Sequence, residues 1–350
     1  EWNEDPAGGI DIGRNFSYGY DYFGPGAGLY PFNAPEARAI ARFYVDHPNI
    51  TAVYVLGPQD NLLEAWEHKA GESDSERKPL KSVMEVDEPW FGEIARRFQE
   101  ITGNSDAPES SALEGDPLSF AYYHMGRWAF GSPVWWPPVM EAVDSTGEEE
   151  AKPGNGGDKE DDPLADERQA LRWLRENEPD AVLEWTAVSH PDFPGQEVEV
   201  GGFRPFAVLN PPAELLDTVA VEQTAFVREL LDDLPRIELR ALRVESLGER
   251  VYRVTVELAN SGYLPTRSAL GARVRWPRQV RVELETGSDQ HISGGRAIQL
   301  VDAIDGSGRS RELTWVVVGA PGSSVTLTAS SPVGGFTTRN VTLRTSRGTP

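Results

Sequence analysis

Apolar side chains recur at helical spacing in the front of this chain and at every second position in its last third, so two kinds of architecture follow one another. Ala37, Ile40, Ala41 and Tyr44 share a helical stripe, Asn33 and Glu36 have capping-box spacing, and Pro35 suits a first turn. These features predict a helix from Asn33 to about His47-Pro48. Ile50 to Leu56 is a continuous apolar, β-branched run closed by Gly57-Pro58, the pattern of a strand buried on both faces. Phe91, Ile94, Ala95 and Phe98 set a second helix from Pro89 to Ile101, with Arg96, Arg97 and Glu100 opposite them. A third helix is expected near Pro117, carrying Tyr122 and Tyr123, and a long one from Pro212 to Leu231. Helix followed by buried strand is the grammar of an α/β domain.

After Asp233-Leu234-Pro235 the period changes to two. Val254, Val256 and Leu258 alternate with charged and polar residues, as do Val280, Val282 and Leu284, then Leu313, Trp315 and Val317, then Val325, Leu327 and Ala329. Short strands separated by turn residues predict a β-sandwich over residues 236–350. The front part is divided by a run rich in Asp, Glu, Gly, Lys and Pro with few apolar side chains. Such a run cannot offset the entropy of ordering, so residues 147–167 are expected to form a disordered insertion between 1–146 and 168–235.

Charge and composition narrow the function classes. A formal net charge of -23 with no clustered Lys and Arg disfavours a nucleic-acid partner and suits solubility. No apolar stretch is long enough to span a bilayer. The absence of cysteine excludes disulfides and thiolate metal sites. A start at Glu1, with no initiating Met and no signal-like segment, leads to the expectation that either a front segment was removed or the sequence is a fragment.

The segment GIDIGRNF, Gly9 to Phe16, resembles the substrate-carboxylate motif of the zinc carboxypeptidases of the carboxypeptidase A type, whose usual form is Asp-x-Asn-Arg-Asn. Asp11, Arg14 and Asn15 match it, and Gly13 stands where the motif has its first Asn. An aromatic loop, a helix and a buried strand follow in the order the family uses. The resemblance implies a mixed-sheet α/β/α domain over about Gly9 to Leu234, incomplete at its N-terminus and closed by the Pro212 helix. It also implies a zinc cofactor, peptide C-termini as partners, and a secreted or periplasmic setting. Arg14 would grip a terminal carboxylate through the parallel hydrogen bonds a guanidinium offers, with Asn15 beside it. Asp11 would orient a zinc-binding histidine. The segment SFAYYHMG resembles the part of the family bearing a mobile tyrosine, which selects Tyr123 first and Tyr122 second; packing of both against a sheet is the plain alternative.

Where the family has its third zinc ligand, this chain reads Leu56-Gly57-Pro58-Gln59-Asp60, without histidine. Asp60 lies past the expected position and suits a turn cap. None of the five histidines begins a His-x-x-Glu motif. The stretch Arg127 to Trp136, where the family carries its catalytic glutamate, has no carboxylate; Glu141 is too far along, and Glu199 is the remaining candidate base. No metal ligand is therefore assigned. The expectation is a carboxypeptidase-like recogniser of peptide C-termini that is catalytically impaired. An active metallocarboxypeptidase with its zinc-binding front segment elsewhere is the alternative, and a third reading makes the β-sandwich a binding or adhesion module with Trp276 or Trp315 as its platform.

Overall fold

The computed structural model describes residues 9–69, 79–105, 114–138 and 165–344. The chain divides into two compact units, one of residues 1–104, 110–132 and 225–350, the other of residues 105–109 and 133–224. The acidic segment expected at 147–167 lies outside the described residues up to 164.

In the first unit, α1 (Pro35–Asp46) leads to β1 (Ala52–Leu56), and α2 (Glu88–Thr102) follows. The short helix α3 (Pro117–Ser119) widens into a π-type turn over Phe120–His124 and delivers the chain to β2 (Trp128–Ser132). β1 and β2 pair in parallel, with Val53 opposite Ala129. All five residues of β2 are buried, whereas Leu56 at the end of β1 is 54% exposed. α2 forms as its stripe predicts: Phe91, Ile94, Ala95 and Phe98 are buried, and Gly103 ends it in the left-handed conformation at φ 69°. The start of α1 differs from the capping-box expectation. Ala34 occupies the cap, its N–H is bonded to Asn15 Oδ1 at 2.8 Å, and the Asn33 carboxamide turns back to accept from Leu29 N–H. A side chain distant in sequence has taken over a local capping role.

The described residues of the last third form eight strands in two sheets of four, with every neighbouring pair antiparallel. β5 (Ile237–Gly248), β6 (Val251–Asn260), β10 (Ser310–Val318) and β8 (His291–Gly294) make one sheet, in the order β5-β6-β10-β8. β12 (Gly335–Thr342), β11 (Ser324–Ser331), β7 (Val280–Glu285) and β9 (Ile298–Val301) make the other, in the order β12-β11-β7-β9. The alternating residues from both sheets meet in one hydrophobic core that includes Val254, Val256, Leu258, Val282, Leu284, Trp315, Leu327 and Ala329. Each buried Val or Leu among them contributes about 1.5–3 kcal/mol by leaving water. Trp315 is fully buried, with its indole N–H bonded to Arg296 O at 2.7 Å.

Within this unit the sheets join the α/β part through α6 (Ala269–Val274), which leaves the chain between β6 and β7. Ser268 caps α6 through Gly271 N–H and also bonds Gly126 O. The buried Asp87 carboxylate accepts from Ala269 N–H at 2.7 Å, Leu270 N–H at 3.0 Å and the Tyr122 hydroxyl at 2.8 Å. Burial pushes the Asp87 carboxyl up, against the pull of these three donors. Gly126, at φ 61°, lies against Gly271 so closely that a side chain on either would strike the other's backbone. Arg97 adds bonds to Asp233 at 2.8 and 3.0 Å and sits over the Tyr263 ring at 4.3 Å.

The second unit holds α4 (Ala165–Asn177), a hairpin of β3 (Val182–Val188) and β4 (Val198–Phe203), and the front of α5 (Leu216–Asp233), inside which the boundary between units falls. Trp185 of the hairpin is 64% exposed. No helix of the described residues is long and apolar enough to cross a membrane.

Candidate functional site

Two loops of the first unit meet beside the C-terminal ends of β1 and β2, the edge where open α/β sheets bind ligands. One is the short turn Ile12–Arg14, capped by Asp11, whose Oδ1 accepts from Gly13 N–H at 2.8 Å. The other is Gly57 to Asn61. Gln59, only 5% exposed, connects them. A carbon added at Gly57 would lie 2.7 Å from Gln59 Oε1, and one at Gly13 would lie 3.1 Å from Gln59 Nε2 and from Asp11 Oδ1. Gly13 and Gly57 thus both border the same buried carboxamide. A longer side chain at either would have to displace it.

The sequence-selected residues separate by environment. Asn15 is fully buried and spends its carboxamide on the loop, donating to Ala27 O and Tyr30 O and accepting from Ala34 N–H. It shapes the site from below. Arg14 is half-buried; Nη1 donates to Pro25 O at 3.2 Å, and among the described residues no carboxylate pairs with it. Tyr122 is fully buried, and its hydroxyl donates to Asp87 while accepting from Met84 N–H, so it is held in place. Burial and the neighbouring Asp87 carboxylate push the Tyr122 phenol well up.

Tyr123 is half-buried and stacks on Tyr18 with ring centres 4.2 Å apart and planes 10° apart. Trp66 packs 5.8 Å from Tyr123, and Ser17 Oγ lies 2.9 Å from His124 Nδ1. These contacts run the Ser17–Tyr18 segment, which begins three residues beyond Arg14 in the chain, along the π-type turn. Arg14 and Tyr123 therefore belong to adjoining segments of one surface. The sequence singled out Arg14 and Tyr123 as candidates but not Gln59, Tyr18 or Trp66; for Tyr18 the aromatic richness of Asn15 to Tyr30 was the available signal.

The loop after β1 does not fit zinc. Asp60 is committed to a turn: Oδ1 accepts from Leu62 and Leu63 N–H, and Oδ2 from Glu64 N–H at 2.8 Å. Gln59 is neutral, and Gly57 and Pro58 have no donor side chain. No group of three His, Cys, Asp or Glu side chains among the described residues is arranged to hold a metal ion. β2 supplies Trp128 to Ser132 without a carboxylate, as the sequence reads. Glu199 is exposed on β4, in the second unit, and Glu141 lies outside the described residues. Trp315 is core between the paired sheets, while Trp276 lies in the loop between α6 and the strand that begins at Val280 and is 42% exposed.

A family model described as Domain of unknown function (DUF8731) matches residues 236–342. No curated protein matches the chain. Similar solved structures include a GH3 beta-glucosidase of Bifidobacterium adolescentis at 14% identity, covering 31% of this chain and 17% of that one, with a TM-score of 0.17. Beta-glucosidase 3B from Thermotoga neapolitana in complex with alpha-D-glucose matches at 12% identity, over 31% and 16% of the two chains, with a TM-score of 0.18. DesR, a beta-glucosidase from Streptomyces venezuelae in complex with D-glucose, matches at 16% identity, over 31% and 15%, with a TM-score of 0.17. The chain spans only 15–17% of the length of these proteins, and so slight a likeness assigns neither fold nor activity.

Proposed function

We propose that this chain is a carboxypeptidase-like α/β domain followed by a β-sandwich, and that it recognises peptide C-termini through Arg14 without hydrolysing them. The observation that carries the reading is the state of Arg14. Its guanidinium uses one donor on Pro25 O and pairs with no carboxylate among the described residues, and Arg14 follows Gly13, the residue of its turn that borders Gln59. A planar cation with free donors suits an incoming carboxylate. The neighbouring Asp11, the nearest carboxylate in sequence, accepts from Gly13 N–H through Oδ1, and among the described residues it makes no ion pair with Arg14. The Tyr18–Tyr123 stack and Trp66 offer an aromatic wall for the side chains that precede the terminus.

The absence of hydrolysis rests on chemistry: Gln59, Gly57 and the capped Asp60 leave no zinc donor after β1, and β2 carries no general base. The test is peptide binding by the full chain, with N-acetylated peptides that end in a free carboxylate or an amide, alongside zinc-supplemented hydrolysis of blocked dipeptides. Preference for the free carboxylate with no cleavage supports the reading. Equal binding of the amide, or chelator-sensitive cleavage, overturns it.

A further inference from the structure

We infer that the second compact unit carries a separate site for a small zwitterion, a free α-amino acid or a dipeptide with both termini unblocked. A groove of about 320 Å³ lies where the end of α4 and the turn after it meet the segment that joins β4 to α5. Leu174, Ala181, Phe206 and Pro211 line it with apolar surface, and three charged residues, Arg204, Glu178 and Asp180, share the lining. Arg204 N–H bonds Ala181 O at 2.8 Å, which sets the cation across from the residue next to Asp180. Even so, none of these three side chains enters a hydrogen bond or ion pair among the described residues.

Charges of both signs that border one groove and leave each other unpaired match a ligand that carries both. A carboxylate suits the fork of Arg204, an ammonium suits Glu178 and Asp180, and an aliphatic side chain suits the apolar wall. The volume is at the lower end of the range for small-molecule sites, about 300–1,000 Å³, so it admits an amino acid or dipeptide. Phe206 adds an independent sign. It is held at φ 68°, a conformation a bulky residue rarely adopts, is 69% exposed, and has its carbonyl tied to Leu209 and Asn210 N–H at 3.0 and 2.9 Å. Strain of this kind concentrates at ligand-binding segments.

Calorimetric titration of the full chain with L-leucine and with leucylglycine tests the site. Saturable binding in the millimolar range is expected, weakened about tenfold or more by N-acetylation, by amidation, and by Arg204→Gln or Asp180→Asn. Arg204→Lys keeps the charge without the fork and should bind at intermediate strength. Arg14→Gln should leave leucine binding unchanged, which separates this site from the one at β1 and β2. No saturation by either ligand at about 50 mM, or N-acetyl-leucine binding to the Arg14→Gln variant as tightly as leucine does, overturns the inference. So does leucine binding that is unaffected by Arg204→Gln.

Discussion

The Tyr122 hydroxyl donates to Asp87 Oδ2 at 2.8 Å, and the same carboxylate receives the first two N–H groups of α6, so one buried side chain ties the α/β part of the first unit to its paired sheets. The segment that carries Tyr123 is thereby fixed from beneath by residues nearly 150 positions away in the chain. Replacing Asp87 with Ala should cost about 3 kcal/mol or more in a denaturant titration, because three buried donors lose their acceptor together. Tyr122→Phe, which removes one of the three, should cost about 1–2 kcal/mol. Equal losses for the two variants would contradict a shared acceptor.

Gly126 and Gly92 make a paired test of backbone demands. Gly126→Ala adds a side chain at φ 61° against Gly271 and should destabilise by more than about 2 kcal/mol. Gly92 sits exposed inside α2 with open space where a Cβ would go, so Gly92→Ala should stabilise by about 0.5–1 kcal/mol. Melting curves of the two variants should therefore move in opposite directions.

Acid stability follows from Glu93. Hydrogen bonds from Arg96 and Arg97 hold its carboxyl at about 2, below the ordinary value of 4.5. A carboxyl with a lowered folded-state pKa contributes stability that is complete above the ordinary value and is lost as pH falls towards the folded one. The stability difference between the parent and Glu93→Gln should thus hold steady above about pH 4.5 and shrink between 4.5 and 2. A difference that does not change across that window would contradict the pairing.

Net charge sets a response to salt. With 56 acidic and 33 basic residues, the folded chain repels itself, and added ions screen that repulsion. The melting temperature should rise as KCl increases from about 0.05 to 1 M, a range over which the screening length falls from above about 10 Å to about 3 Å. A fall across the whole range would show that ion pairs such as Arg97 with Asp233 outweigh the net repulsion.

Period alone located the elements whose burial is one-sided and regular. α2 reads from Phe91, Ile94 and Phe98, and β6, β7, β10 and β11 read from their alternation, because each buries a single face. β2 escaped notice because all five of its residues are buried and it includes Gly131 and Ser132, which blur any period. The β3–β4 hairpin was missed because most of its side chains are exposed and its apolar residues mark no face. At the candidate site, Arg14 and Asn15 were singled out by the same motif, and Asn15 proves to be spent on Ala27, Tyr30 and Ala34. Gln59 was invisible as a site residue, because its meaning depends on contact with two glycines far apart in sequence.

The measurement closest to the central claim is a double comparison of Arg14 and the peptide terminus. Binding of an N-acetylated peptide with a free carboxylate and of its C-terminal amide is measured for the parent chain and for Arg14→Gln. The account requires that amidation and Arg14→Gln each weaken binding by about tenfold or more, and that amidation of the peptide costs the variant almost nothing further. If the variant still discriminates free carboxylate from amide as the parent does, Arg14 is not the residue that reads the terminus, and the proposed function fails.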